Sequence, residues 1–130
     1  MAADTLPDVR IAAWIPAVLI AAVIWRLSAT PDLAIAHGWL DTVLRKAAHV
    51  GAFAALAFAA WLGMRAQPVG RPSAILAGAL FALAYAGVDE WHQTRVPTRH
   101  GTPVDVAIDA IGVGIASMVL VMSERRRTAP

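Results

Sequence analysis

The chain has 130 residues, of which 58% are hydrophobic and only 15% charged, with a mean hydropathy of +0.60. A soluble domain carries about 25% charged residues, so this composition excludes an ordinary soluble globule. The net charge of +2 is too small and too scattered for a nucleic-acid binder, and the absence of cysteine excludes a disulfide framework, a thiolate metal site and a cysteine nucleophile.

Charges fall in short clusters between long uncharged runs, the pattern of segments that sit in hydrocarbon. The first run covers 11–27, with Arg10 before it, Arg26 near its far end and Pro16 inside it. Asp4 and Asp8 precede it where a secretory signal would be basic, so cleavage is not expected. The following link holds Ser28, Pro31, Asp32, Gly38 and Asp41, and it is long enough for a short interfacial helix over 33–40. The second run covers 44–64 and opens with Arg45, Lys46 and His49. Gln67, Pro68, Gly70 and Pro72 then mark a turn. The third run, 73–91, ends in Asp89, Glu90, His92 and Gln93. Pro97, Gly101 and Pro103 mark the last link. The fourth run, 104–122, begins with Asp105 and Asp109 and is followed by Arg125, Arg126 and Arg127.

Each run approaches the roughly 20 residues that a helix needs to cross a bilayer. The expected fold is therefore all-α, a membrane-embedded bundle of four transmembrane helices forming a single domain over 1–130. Gly78, Ala82 and Ala86 repeat at four-residue spacing on the third span, as do Gly112 and Ala116 on the fourth, a pattern that lets helices approach closely in lipid.

Four spans put both termini and the middle link on one side. That side carries Arg10, Arg65, Arg71 and Arg125 to Arg127, and the other carries Arg26, Arg45, Lys46, Arg95 and Arg99, so the counts barely decide orientation. The isolated cluster at 125–127 has the form of a cytoplasmic anchor, whereas the basic residues opposite lie mostly beside acidic ones. Both termini are expected in the cytoplasm. Trp14 and Trp61 fall near that face and Trp25 and Trp91 near the other, as interfacial aromatic belts do.

Polar residues gather at the far end: Lys46, His49, Asp89, Glu90, Gln93, Asp105 and Asp109, with Arg95, Arg99 and His100 in the link. Ionisable groups in a span face the protein interior or a cavity. Asp105, Asp109, Gly112 and Ala116 form one stripe, and Asp89 shares a face with Gln93 above Tyr85. Glu90 points about 100° away from Asp89. Glu90, Gln93, Arg99, Asp105 and Asp109 are expected to meet, with His49 at the same level and Arg99 bridging carboxylates. Two readings follow: a network of helix-end ion pairs that fixes the bundle, or a ligand pocket. His49, Glu90, Asp105 and Asp109 carry metal-ligating atoms, and hard oxygens would suit magnesium or calcium, but no recognised ligand spacing is present and no metal or other cofactor is expected. Glu90 and His49 are the candidate acid–base residues; Ser28 and Thr102 are isolated as nucleophiles.

The stretch 89–93 (Asp-Glu-Trp-His-Gln), Val96-Pro97-Thr98-Arg99 and the run 105–112 from Asp105 through Asp109 to Gly112 together resemble the VanZ-like family of small bacterial membrane proteins. Lys46-Ala47-Ala48-His49 and Leu27-Ser28-Ala29-Thr30-Pro31 extend the likeness, which covers about 11–123. Carried over position by position, the family residues are His49, Glu90, Gln93, Arg99, Asp105, Asp109 and Gly112. Two departures stand out: Asp109 is found where many members have Asn, and Thr98 where Gly is common, which would stiffen the loop. The resemblance implies a cell-envelope role in a bacterial inner membrane, since the family takes its name from a protein associated with low-level teicoplanin resistance.

Three functions remain open. The first is binding of an amphipathic envelope lipid at an extracytoplasmic pocket of Lys46, His49, Glu90, Gln93, Arg99, Asp105 and Asp109, with Lys46, Arg95 and Arg99 meeting a phosphate. The second is an enzyme acting on a lipid-linked substrate, and the third an accessory membrane protein. A transporter is disfavoured, because a lone four-helix unit shows no internal inversion. Oligomeric state is not legible.

Overall fold

The structure, a computed structural model, describes residues 6–128; Asp4 lies outside the described residues. The described chain is helical throughout: α1 (Leu6–Ala12), α2 (Ile15–Ser28), α3 (Trp39–Arg65), α4 (Arg71–Gln93) and α5 (Pro103–Thr128). Four helical segments are long and apolar enough to cross a membrane, at Val9–Ser28, Trp39–Arg65, Arg71–Gln93 and Pro103–Arg127. Every expected span is present, and each is longer than its apolar run.

The first span is not one continuous helix. Ala13 and Trp14 form a turn between α1 and α2. Pro16 causes it, because its ring nitrogen cannot bond the Ala12 carbonyl and its ring crowds that oxygen. The break sets Trp14 against the bundle. A Cβ on Gly63 would lie 2.6 Å from the indole, and Phe81 meets it edge-on at 5.5 Å. Trp14 is thus half-buried, and Trp61 is buried rather than interfacial. Trp25 and Trp91 keep exposed faces, as belt residues do.

No interfacial helix forms over 33–40. Instead α3 begins at Trp39, ahead of the apolar run. The link is pinned by Asp41 in the first turn of α3, whose Oδ1 accepts from the backbone N–H groups of Ile35 (2.6 Å) and Ala36 (3.1 Å). These bonds reach past the N-cap Gly38 to the link before it. Gly38 precedes the helix at φ 62°, a conformation that side chains resist. With 27 residues α3 is about 40 Å long, more than the hydrocarbon needs, so its first turns carry Asp41, Arg45 and Lys46 towards the membrane surface.

α3 is the central helix, packing on α5, α4 and α2, while α4 also packs on α5. The core is built largely of small residues around Phe53 and Leu56: Ala17, Ala57, Ala59, Ala82, Ala86 and Val113. Lipid tails are as apolar as leucine side chains, so backbone proximity and good packing hold membrane helices together. Both glycines of the small-residue stripes serve that end. A Cβ on Gly112 would fall on the Val50 carbonyl of α3, and one on Gly78 would lie 2.7 Å from the Trp61 backbone nitrogen. Larger side chains such as Leu76, Leu80, Ile111, Ile115 and Met118 are exposed on the outer surface, where they face lipid. At the end carrying the C-terminal arginines, Arg65 and Arg71 both pair with Glu124, at 3.0 and 2.8 Å.

Gly112→Ala should force α3 and α5 apart and lower stability by about 1–3 kcal/mol, read as a fall in melting temperature in detergent. Gly114→Ala, where an added Cβ meets open space, should not lower it.

Candidate functional site

α3 and α5 both start at the polar end and run parallel, so matched side chains meet in successive rungs. Lys46 Nζ donates to Asp105 Oδ1 at 2.7 Å, and one turn deeper His49 Nδ1 lies 3.0 Å from Asp109 Oδ1. Asp105 stands in the first turn of α5, where the helix dipole favours a carboxylate. Thr102 caps that helix: its hydroxyl accepts from the Asp105 N–H (3.2 Å) and donates to Asp105 Oδ2 (2.7 Å).

α4 ends where α5 begins, and the two ends are tied together. The Thr102 N–H donates to Glu90 Oε2 at 3.1 Å. The loop passes so close that a Cβ on Gly101 would strike the Glu90 carbonyl oxygen. Gln93, one turn beyond Asp89, donates its amide to both Asp89 Oδ2 and Glu90 Oε1, each at 3.1 Å. Ser28, at the end of α2, donates to Asp89 Oδ2 at 2.8 Å. Asp89 and Asp109 are fully buried and Glu90 is 4% exposed.

These residues surround a cavity of about 240 Å³. Its walls include Lys46, His49, Glu90, Gln93, Arg99, Asp105 and Asp109, together with Thr42, Arg45, Thr98, His100 and Ile108. A smaller, mostly apolar cavity of about 90 Å³ adjoins it between α2 and α3, lined by Ile24, Leu27, Leu33, Ile35, Ala52 and Phe53 among others. Arg45, His49 and Arg99 belong to both.

Two sequence expectations need correction. Arg99 does not bridge carboxylates. Its Nε donates to the Thr30 carbonyl (3.2 Å) and its NH2 group to the Leu27 carbonyl (3.1 Å). The last carbonyls of a helix lack i+4 donors; the Leu27 carbonyl accepts from the Thr30 N–H at 3.2 Å, and the guanidinium adds a second bond there and one to the Thr30 carbonyl just past α2. Burial, with Arg45 nearby, lowers the pKa of Arg99 below the usual guanidinium range, but such a group keeps its charge. Arg95 is not at the cavity; it lies over the Trp91 ring at 3.8 Å, a cation–π contact.

Sequence periodicity puts Asp89 on the face of Gln93 but outside the ligand set, and leaves Ser28 an isolated hydroxyl. The structure joins them. The signal is the four-residue spacing of Asp89 and Gln93; that Ser28 of α2 reaches them depends on packing between helices distant in sequence. Thr98 sits at φ 66°, a left-handed conformation that costs a residue with a Cβ about 1–2 kcal/mol. Its hydroxyl accepts from the Asp32 N–H at 3.1 Å, holding the first link to the last. As metal-ligating groups, His49, Asp89 and Glu90 stand closest, with one donor atom of each within 4.8 Å of the others.

The Gln93 amide is the donor shared by two buried carboxylates. Gln93→Leu should therefore cost about 1–3 kcal/mol, measured by thermal unfolding in detergent. Unchanged stability would show that this hydrogen-bond network does not hold the end of the bundle.

The VanZ/LLP1 family model matches residues 4–124. No curated protein and no solved structure matches the chain significantly. With nearly the whole sequence covered by the match, and with the four membrane-spanning helices described above, the chain belongs to the VanZ/LLP1 family.

Proposed function

We propose that this protein binds an amphipathic envelope lipid, with an anionic headgroup in the polar cavity and hydrocarbon along the apolar one. The observation that carries the reading is the junction of the two cavities at Arg45, His49 and Arg99. A phosphate there would meet Arg99, which has N–H groups left after bonding two carbonyls, and Lys46, whose side chain is 44% exposed despite its bond to Asp105. Arg45 is held 2.8 Å from Asp41 at the same rim. His49, Glu90, Gln93, Asp105 and Asp109 form the rest of the headgroup wall.

In this reading the chain is one domain in a bacterial inner membrane, with both termini in the cytoplasm and the cavity on the outer face. The exposed arginines at 125–127 support that orientation. A site for a phosphate-bearing lipid on the outer face fits the envelope role that the family resemblance implies.

Native mass spectrometry of the protein extracted from membranes should show a retained phosphate-bearing lipid. Arg99→Ala and Lys46→Met should each weaken retention by roughly tenfold, the scale of a lost charge-assisted hydrogen bond. Protein that binds inorganic phosphate but retains no lipid would contradict the hydrocarbon half of the proposal. A reporter enzyme fused at the C-terminus should be active in the cytoplasm; a periplasmically active fusion would put the cavity on the inner face.

A further inference from the structure

The buried end of α4, beside the polar cavity, carries more carboxylate than its partners balance. Lys46 pairs with Asp105, and His49 bonds Asp109 through Nδ1. Asp89 and Glu90 have no cationic partner within ion-pair distance among the described residues, although both are buried. Asp89 Oδ2 is taken up by Ser28 and Gln93, but Asp89 Oδ1, enclosed in a side chain with no exposure, has no hydrogen-bond partner. Buried charge of this kind is balanced by a proton or by a cation.

Geometry favours the cation. One donor atom from each of His49, Asp89 and Glu90 lies within 4.8 Å of the others. Opposite ligands of an octahedral ion with bonds of about 2.1–2.4 Å are separated by much the same span. In the neutral tautomer that donates from Nδ1 to Asp109, the lone pair of His49 is on Nε2, free to ligate. A carboxylate behind the far ring nitrogen is the usual support of a metal-binding histidine. His49 and Glu90 both line the cavity, so an ion has a route in and room for water ligands.

We propose that His49, Asp89 and Glu90 bind a divalent transition-metal ion at the inner wall of the polar cavity, with Asp109 orienting the histidine. One imidazole nitrogen beside carboxylate oxygens suits manganese, iron, cobalt or zinc better than magnesium or calcium, which prefer oxygen throughout. The sequence shows no metal-ligand motif because the ligands come from α3 and α4, and only their packing brings them together. The site does not depend on the lipid proposal, since Arg99 and Lys46 are not among its ligands.

The test is equilibrium dialysis of chelator-treated, detergent-solubilised protein against Co²⁺, read by elemental analysis and by the visible absorption of bound cobalt. One Co²⁺ per chain is expected, with spectral bands of a site containing nitrogen. Asp109→Asn should weaken binding about 10- to 100-fold, the usual effect of losing a carboxylate behind a ligating histidine, and Asp89→Asn by at least as much. Melting curves for each variant establish that it is folded. Arg99→Ala should keep cobalt while losing lipid, which separates failure of this inference from failure of the lipid reading. Wild-type protein that binds no cobalt would overturn the proposal and leave protons as the balancing charge. A folded Asp89→Asn protein with unchanged affinity, or displacement of cobalt by equimolar Mg²⁺, would overturn it equally.

Discussion

A carboxylate inside a membrane helix must find a partner, and this requirement organises one end of the molecule. Asp89, Glu90, Asp105 and Asp109 enter the bundle on two adjacent helices, and lipid offers them no hydrogen bonds. Each is met from a different direction: Asp105 by Lys46, Asp109 by His49, Glu90 by the Thr102 backbone and Asp89 by Ser28. Gln93 ties the two carboxylates of α4 together. The network thereby involves α2, α3, α4, α5 and the loop before α5. Removing one partner leaves a buried charge whose desolvation is no longer compensated.

Ser28, His49 and the Thr102 backbone reach only a short way, so these bonds form only if the helices pack closely. The small residues make that approach possible. Gly112 lets α5 lie against the backbone of α3 just beyond the His49–Asp109 rung, and Gly78 does the same for α4 against α3 near the opposite end. The alanines between them keep the interface thin. The rungs line the cavity, and the last link carries Thr98, Arg99 and His100 around it. The break at Pro16 has a separate consequence, seating Trp14 between Gly63 and Phe81 at the far end.

Most of the architecture was legible because hydropathy reports burial in lipid directly. The spans, their turns and the gathering of polar residues at one end followed from the placement of charge, glycine and proline. The register of Asp89 with Gln93 followed from helical periodicity. Features set by contacts between distant segments were not legible. Arg99 was expected to seek a carboxylate by charge, whereas its guanidinium reaches the Leu27 and Thr30 carbonyls at and just past the end of α2. The start of α3 was hidden because Asp41 and the residues around it are too polar to extend an apolar run, although their hydrogen bonds to the preceding link favour the helix. Trp61 read as interfacial from its position along the span, but its side of the helix faces the bundle.

The central claim is that α3 and α5 are locked in register by paired polar rungs that close the inner wall of the cavity. A double-mutant cycle on His49→Ala and Asp109→Ala, with unfolding free energies measured in detergent, tests it most directly. Groups in direct contact show coupling of about 0.5–3 kcal/mol, and a value in that range is predicted here. Additive single-mutant effects would contradict the account, because they would mean that His49 and Asp109 do not meet in the folded protein.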